Sequence, residues 1–311
     1  MEESAEITFS DVFSNKMDDY RVIVDDAISG ELHRMRDSPF FEPLTYALTG
    51  GKRLRPTLLL LAFQSVRRSE SDPLPAAVAV EIIHSTSLLS DPLPAAVAVE
   101  IIHSTSLLID DIIDEDLTRR DVEAFHASYG LKMSLLNAEM LLSLLMDISA
   151  RCFDHRIVQV LAQAASSMGT GTFEELAVYA GKQPIGTREY LNILEKKTAF
   201  LFEASAKMGA LVALAQENEI NALSDYGRLL GLAYQIQDDN ADREDDPSRS
   251  LLSYLRGKSK DEQYLQELPT LYIAEAKQRL QELNSSEAKN LLIKLADVIG
   301  MRSSNRLSKI I

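Results

Sequence analysis

Apolar positions along the chain recur at helical intervals, and few breakers interrupt them. Lys16 to Met35 reads as an amphipathic helix with Val22, Ile23, Ile28 and Leu32 facing inward, preceded by loosely ordered residues 1–15. Pro39 and Pro43 end that pattern, a short helix starts at Leu44, and Gly50-Gly51 forms a turn. Pro56 then falls in the first turn of the next helix, where its missing N–H is harmless. Ala95 to Leu108 is largely apolar without Gly or Pro and reads as a buried helix, as does the shorter run Leu229 to Tyr234. Leu191, Leu194, Thr198 and Leu201 keep the same spacing, so the expected class is all-α.

Two of these apolar helices run into acids. Residues 110–116 hold five acidic side chains in seven, among them Asp110, Asp111 and Asp114. A helix C-terminus already carries partial negative charge, so carboxylates there call for a cation. Their i, i+1, i+4 spacing lets the three converge on one helical face. Oxygen ligands without His or Cys select Mg²⁺, which keeps waters and shares its shell with phosphates. One such cluster is equally well a solvated acidic face. However, Asp238, Asp239 and Asp242 repeat the spacing after the second apolar run, and two clusters facing across a bundle would hold several ions around a diphosphate. The basic triplet Lys52, Arg53 and Arg55 beside the Gly-Gly turn suits the same anion.

Composition narrows the setting. The 311 residues are 46% hydrophobic and 25% charged, enough to bury a large core. A net charge of −15 argues against a nucleic-acid partner, so an anionic substrate must meet a local basic cluster. The single cysteine, Cys152, excludes an internal disulfide and suits a reducing compartment. The N-terminus lacks the pattern of a signal peptide, and no apolar run reaches membrane-spanning length, so a cytoplasmic protein without a transmembrane segment is expected.

Five segments in order carry a resemblance to the trans-prenyltransferase family, the polyprenyl or isoprenyl diphosphate synthases. They are Gly50 to Pro56, Glu100 to Arg120, Lys197-Thr198-Ala199, Tyr234 to Asp242 and a helical C-terminal third. The resemblance implies one isoprenoid-synthase domain over residues 1–311, a single bundle of about a dozen or more helices around a central apolar cavity, working as a homodimer. It implies Mg²⁺-dependent head-to-tail condensation of isopentenyl diphosphate with allylic prenyl diphosphates. Asp110, Asp111, Asp114, Asp238, Asp239 and Asp242 would be the metal ligands, for about three Mg²⁺ ions per site with Mn²⁺ as a substitute. Lys52, Arg55, His103 and Arg120 would bind the homoallylic diphosphate, with Arg53 in the same triplet. Arg119, Lys197, Thr198 and Gln235 would bind the allylic one, and Lys258 would stand in for a lysine of the C-terminal region. Catalysis would fall to Asp110, Asp111, Asp114, Arg119, Lys197, Asp238 and Asp239.

Product length depends on residues upstream of Asp110. Where short-chain members carry bulky aromatics, this chain has Thr105 and Ser106, which favours C20 or longer, geranylgeranyl diphosphate first. Asp121, Thr172, Glu175 and Leu252 depart from the family pattern. Residues 71–89 also recur unchanged as residues 90–108. The second copy is joined to Asp110 and should carry the acids into the site, leaving 71–89 as an insert at the far end of the bundle. His84, the twin of His103, should then have no role in the site. Two other functions fit parts of the pattern. One is a non-catalytic subunit that binds prenyl diphosphates. The other is a class I terpene cyclase, whose second metal motif with Asn, Ser and Glu is not found after Asp238.

Overall fold

The structure, a computed structural model, describes residues 9–67, 91–119, 122–182, 184–245, 251–256 and 258–301. The insert expected over 71–89 lies outside the described residues, as do Arg120 and Asp121. The side chains of Asp242 and Lys258 are likewise outside the description.

Among the described residues the fold is all-α apart from one small ribbon and an isolated bridge between Ile185 and Leu255. Helix α1 spans Phe9–His33, earlier than the expected start at Lys16. Its buried stripe is Phe13, Met17, Tyr20, Val24, Ile28 and Leu32, while Val22 and Ile23 are 55% and 42% exposed. Val22 and Ile23 thus face solvent, contrary to the inward orientation their spacing suggests. The stripe keeps steps of three and four from Phe13, and positions 22 and 23 fall between them. Helix α2 (Phe41–Leu48) tolerates Pro43 in its first turn, and α3 (Leu54–Val66) is buried along almost its whole length. Between them Gly50 and Gly51 adopt φ of 76° and 101°, and Arg53 is left-handed at 52°.

Helix α4 (Leu93–Ile113) comes from the second copy of the repeat, as expected. Asp91 Oδ1 accepts from the N–H of Leu93 at 2.9 Å, Pro92 and Pro94 prevent extension upstream, and the helix stops at Asp114 before left-handed Glu115. Strands β1 (Thr118–Arg119) and β2 (Val122–Glu123) form an antiparallel ribbon, followed by α5 (Phe125–Tyr129), α6 (Leu131–Cys152) and α7 (His155–Gly181). Helix α8 (Thr187–Leu194) passes into a π-helical turn, Glu195–Ala199, and then α9 (Phe200–Val212). Helices α10 (Glu217–Asp245), α11 (Lys258–Arg279) and α12 (Glu287–Gly300) complete the order.

A main core joins α1, α3, α4, α9, α10 and α12, and each fully buried Leu, Ile or Phe in it contributes roughly 1.5–3 kcal/mol of transfer free energy. A second cluster around Tyr190, Leu194, Ile236, Leu252 and Leu265 lies under the start of the π-turn. Leu252, which departs from the family pattern, is 4% exposed in this cluster, where a charged side chain would lack water. By length and composition one described helix, α6, is apolar enough to cross a membrane, although Lys132, Glu139, Asp147 and Arg151 interrupt its apolar run. Only 28% of its most apolar window is buried, however, and its inward face packs on α4.

Candidate active site

The acids at the end of α4 do not converge as one set. Asp110 is half-buried and Asp114 is exposed, whereas Asp111 is 3% exposed and paired with the guanidinium of Arg119. One residue is about 100° around a helix, which turns Asp111 towards the ribbon instead of along the face of Asp110 and Asp114. The ribbon holds the pair in place, since Arg119 lies opposite Val122.

The second acidic cluster sits on α10. Asp239 is bracketed by two donors: Tyr190 Oη at 2.7 Å to Oδ2 and Gln235 Nε2 at 2.7 Å to Oδ1. Thr198 Oγ1 donates to Gln235 Oε1 at 2.9 Å, so a chain of hydrogen bonds links the π-turn to α10. Gly231 allows this approach, since a Cβ there would lie 2.7 Å from Ala199 Cα. Gly171 does the same for α7, where a Cβ would lie 2.5 Å from the backbone nitrogen of Lys197. The π-turn is thus gripped from two sides. It aims Lys197 at Glu175, with which it forms an ion pair, while Lys196 pairs with Glu174 at 2.6 Å.

Electrostatics tie the two clusters together. Burial raises the carboxyl of Asp110 above its ordinary value, and Lys197 opposes this while Glu175 and Asp114 reinforce it. Burial likewise pushes Asp239 up to about 7, against the hydrogen bonds from Tyr190 and Gln235 and with the help of Glu175 and Asp238. Burial alone would lower Lys197, yet Glu175 and Asp110 leave it raised. Tyr179, which donates to Glu175 at 3.3 Å, is pushed up by burial and by that carboxylate. Glu175 therefore stands between both acidic clusters and the lysine.

The basic triplet divides. Lys52 is exposed, and Arg55 Nη1 lies 3.0 Å from His103 Nε2 with its guanidinium 4.7 Å above the ring of Phe202. Arg53 points the other way. It is 3% exposed and donates to Asp25 at 2.8 Å, Glu100 at 2.6 Å and the Leu48 carbonyl at 2.5 Å. These bonds turn its donors away from any surface ligand, contrary to the expectation that it binds substrate.

Among the described residues, no group of three or more His, Cys, Asp or Glu side chains gathers closely enough to hold a metal ion alone. The donor chemistry still fits Mg²⁺. Buried carboxylates raise one another's affinity for protons on two walls, and an ion that keeps waters and shares its shell with phosphate can be held across such a gap. Of the residues that the structure adds, Glu175 stands out in the sequence only as a departure from the family pattern. Tyr179, Tyr190 and Glu174 carried no spacing signal.

A family model described as polyprenyl synthetase matches residues 37–93 and 92–294. Over 225 residues the chain is 32% identical to a geranylgeranyl diphosphate synthase from Methanosarcina mazei, covering 70% of this chain and 63% of that protein. It is also 32% identical to a geranylfarnesyl diphosphate synthase from Natronomonas pharaonis, with 76% and 70% covered. The chain thus matches a little under two thirds of the first relative's length and somewhat more of the second's. In solved structures, geranylgeranyl pyrophosphate synthetase from Pyrococcus horikoshii superposes with a TM-score of 0.78 at 26% identity, covering 94% of this chain and 98% of that one.

Proposed function

Since the chain belongs to the polyprenyl synthetase family, we propose that it is a prenyltransferase that condenses isopentenyl diphosphate head to tail with allylic diphosphates. The observation that carries this reading is the gathering of the acidic clusters of α4 and α10 around the Lys197–Glu175 ion pair, with Asp110 and Asp239 both raised, chiefly by burial and with Glu175 reinforcing it. Two anionic walls with a lysine between them suit a diphosphate that arrives with its counter-cations. Asp110, Asp114 and Asp238 would hold Mg²⁺, which when bound supplies Lewis-acid stabilisation of the diphosphate charge.

The protein's own groups do the rest. Lys197, presented by the π-turn, donates to the oxygens of the departing diphosphate as negative charge builds there, while Thr198, whose hydroxyl donates to Gln235, fixes the turn against α10. Arg119 adds a guanidinium, held in place by Asp111. Once the allylic C–O bond breaks, the double bond of isopentenyl diphosphate attacks the allylic cation, and a proton leaves to the released diphosphate. Lys52, with Arg55 braced by His103 and Phe202, would anchor the second diphosphate. No protein nucleophile is required.

Product length follows from the wall below Asp110. Thr105 is buried with its hydroxyl turned to the Ile101 carbonyl at 2.7 Å, and Ser106 bonds the His103 carbonyl at 2.8 Å, so neither puts bulk in the path of a chain. We favour C20 or longer, geranylgeranyl diphosphate first. The relatives' own names span geranylgeranyl and geranylfarnesyl products. The chain would act as one domain with 71–89 as an insert, in the cytoplasm, with the thiol of Cys152 raised above its ordinary value by burial. Leu131, Leu135, Leu142 and Met146 form an outward stripe on α6, 55%, 61%, 42% and 69% exposed, which a second copy would cover.

The deciding experiment incubates the protein with isopentenyl diphosphate, Mg²⁺ and C5, C10 or C15 allylic starters, with mass analysis of products and EDTA as control. A Mg²⁺-dependent product of C20 or above is expected. No product from any starter by a folded protein would overturn the reading in favour of a non-catalytic binding subunit.

A further inference from the structure

Tyr46 lies on α2 four residues before Gly50, and its phenol crosses to the opposite wall of the site. Its hydroxyl donates to the Glu123 carbonyl at 2.7 Å and lies 3.2 Å from Ser128 Oγ. Ser128 Oγ in turn donates to Glu123 Oε2 at 2.8 Å. The Tyr46 ring stands edge-on to Phe125 and Tyr129, with centroids 5.9 and 5.3 Å away, and those two rings stack at 4.6 Å. One residue therefore joins the helix leading into Gly50-Gly51-Lys52 to the strand that pairs with Arg119. Tyr46, Gly50, Asp111 and Arg119 also line one cleft.

Neither wall is stiff by itself. Gly50 and Gly51 are both at positive φ, the most permissive backbone available, and two-residue strands hold little independent stability. The gap between Lys52 and Arg119 therefore depends on what bridges it. Ring packing brings the elements together, while the hydroxyl fixes register by bonding one particular carbonyl in the ribbon.

We infer that Tyr46 is a positioning residue that sets the distance between the Gly-Gly turn with Lys52 and the ribbon with Arg119, and so the placement of the isopentenyl diphosphate at Lys52 relative to the allylic diphosphate at Arg119. The inference rests on the prenyltransferase reading for its substrate. A purely structural role predicts that loss of the hydroxyl moves stability alone, whereas a positioning role predicts weaker diphosphate binding at nearly constant stability.

The test compares Tyr46→Phe with Tyr20→Phe, which removes a hydroxyl bonded to Gln64 at 2.5 Å between α1 and α3, outside the site. In Tyr46→Phe the KM for isopentenyl diphosphate and the calorimetric Kd for inorganic pyrophosphate should each rise about five- to tenfold, the loss expected from one hydrogen bond. Its kcat should stay within about twofold of wild type, and Tyr20→Phe should change neither constant. The inference falls if Tyr46→Phe keeps both constants within about twofold, or if Tyr20→Phe shifts them equally. Should the wild-type chain make no product, the reading of the reaction fails, and the pyrophosphate titration alone still decides the part played by Tyr46.

Discussion

Replacing Arg53 with Met separates a structural cation from a substrate-binding one. The guanidinium and the Glu100 carboxylate are each 2% exposed as side chains and 2.6 Å apart, and Asp25, at 46%, is the more solvated second partner. Unit charges with centres about 4 Å apart attract by roughly 4 kcal/mol at an effective dielectric of 20, and removing one partner of a buried pair usually costs about 3–5 kcal/mol. The two estimates agree because both describe the loss of Arg53 from beside the buried carboxylate of Glu100. For a chain of this size each kcal/mol moves the melting midpoint by about 2–4 °C, so Arg53→Met should lower it by roughly 6–20 °C. The double variant Arg53→Met/Glu100→Leu removes the stranded charge and should recover at least half of that loss. At a permissive temperature, KM for isopentenyl diphosphate should stay within about threefold in the single variant. A midpoint shifted by less than about 2 °C, or a double variant at the sum of the single losses, would refute the buried-pair argument.

Three further outcomes follow from the same geometry. Lys197→Met, which leaves Glu175 without its cation, should lower kcat about 10²–10³-fold with the helical circular dichroism retained; a loss under about tenfold would take Lys197 out of transition-state stabilisation. Glu203 is raised from 4.5 chiefly by burial, so its charged form is penalised in the folded state and the wild type loses stability as pH rises through the folded value. Glu203→Gln should accordingly melt higher than wild type at pH 8 and match it near pH 4.5, and the reverse order would contradict the sign. Deleting residues 71–89 should leave fold and product profile intact, because α4 takes its contacts from the second copy, and the shorter connection should add roughly 1 kcal/mol; a collapse of helical signal would show that the first copy is needed.

The parts of the site legible in the sequence were those set by spacing along one helix. Asp110 and Asp114 share a face because i and i+4 must, and His103 lies on that side two turns back, where Arg55 meets it. What spacing could not tell was the rotation forced by a partner far away in sequence. Arg53 belongs to a basic triplet by neighbourhood, yet Asp25 and Glu100 draw it inward from a left-handed residue at the start of α3. Asp111 followed the same logic once the ribbon placed Arg119 beside it. The π-turn at Glu195–Ala199 had no signature, since Lys196-Lys197 reads as an ordinary helix face until Gly171 and Gly231 bring α7 and α10 against it. Tyr190 was invisible for a similar reason: it is a core residue in every respect except that its hydroxyl ends on Asp239.

Among the described residues, the misplaced negative charge at the end of α4 is answered at Asp111 more fully than at Asp110. Arg119 neutralises Asp111, whereas Lys197 is already engaged by Glu175, and Asp110 and Asp239 remain raised. The first acidic cluster therefore contains two kinds of carboxylate: Asp111, answered from within, and Asp110, left for a cation from outside. Added Mg²⁺ together with inorganic pyrophosphate, at about 100 times the Kd of the pair, should stabilise the folded protein by roughly 2.7 kcal/mol, a rise of several degrees in melting midpoint. Asp110→Asn should abolish most of that rise while leaving the metal-free midpoint unchanged or higher, since it removes a charge that burial penalises. Asp111→Asn should do the opposite, lowering the metal-free midpoint by stranding Arg119 while keeping most of the Mg²⁺ response. Equal loss of the Mg²⁺ response in both variants would mean that the two aspartates share the ion after all, and that the Arg119 pair gives way when the site fills.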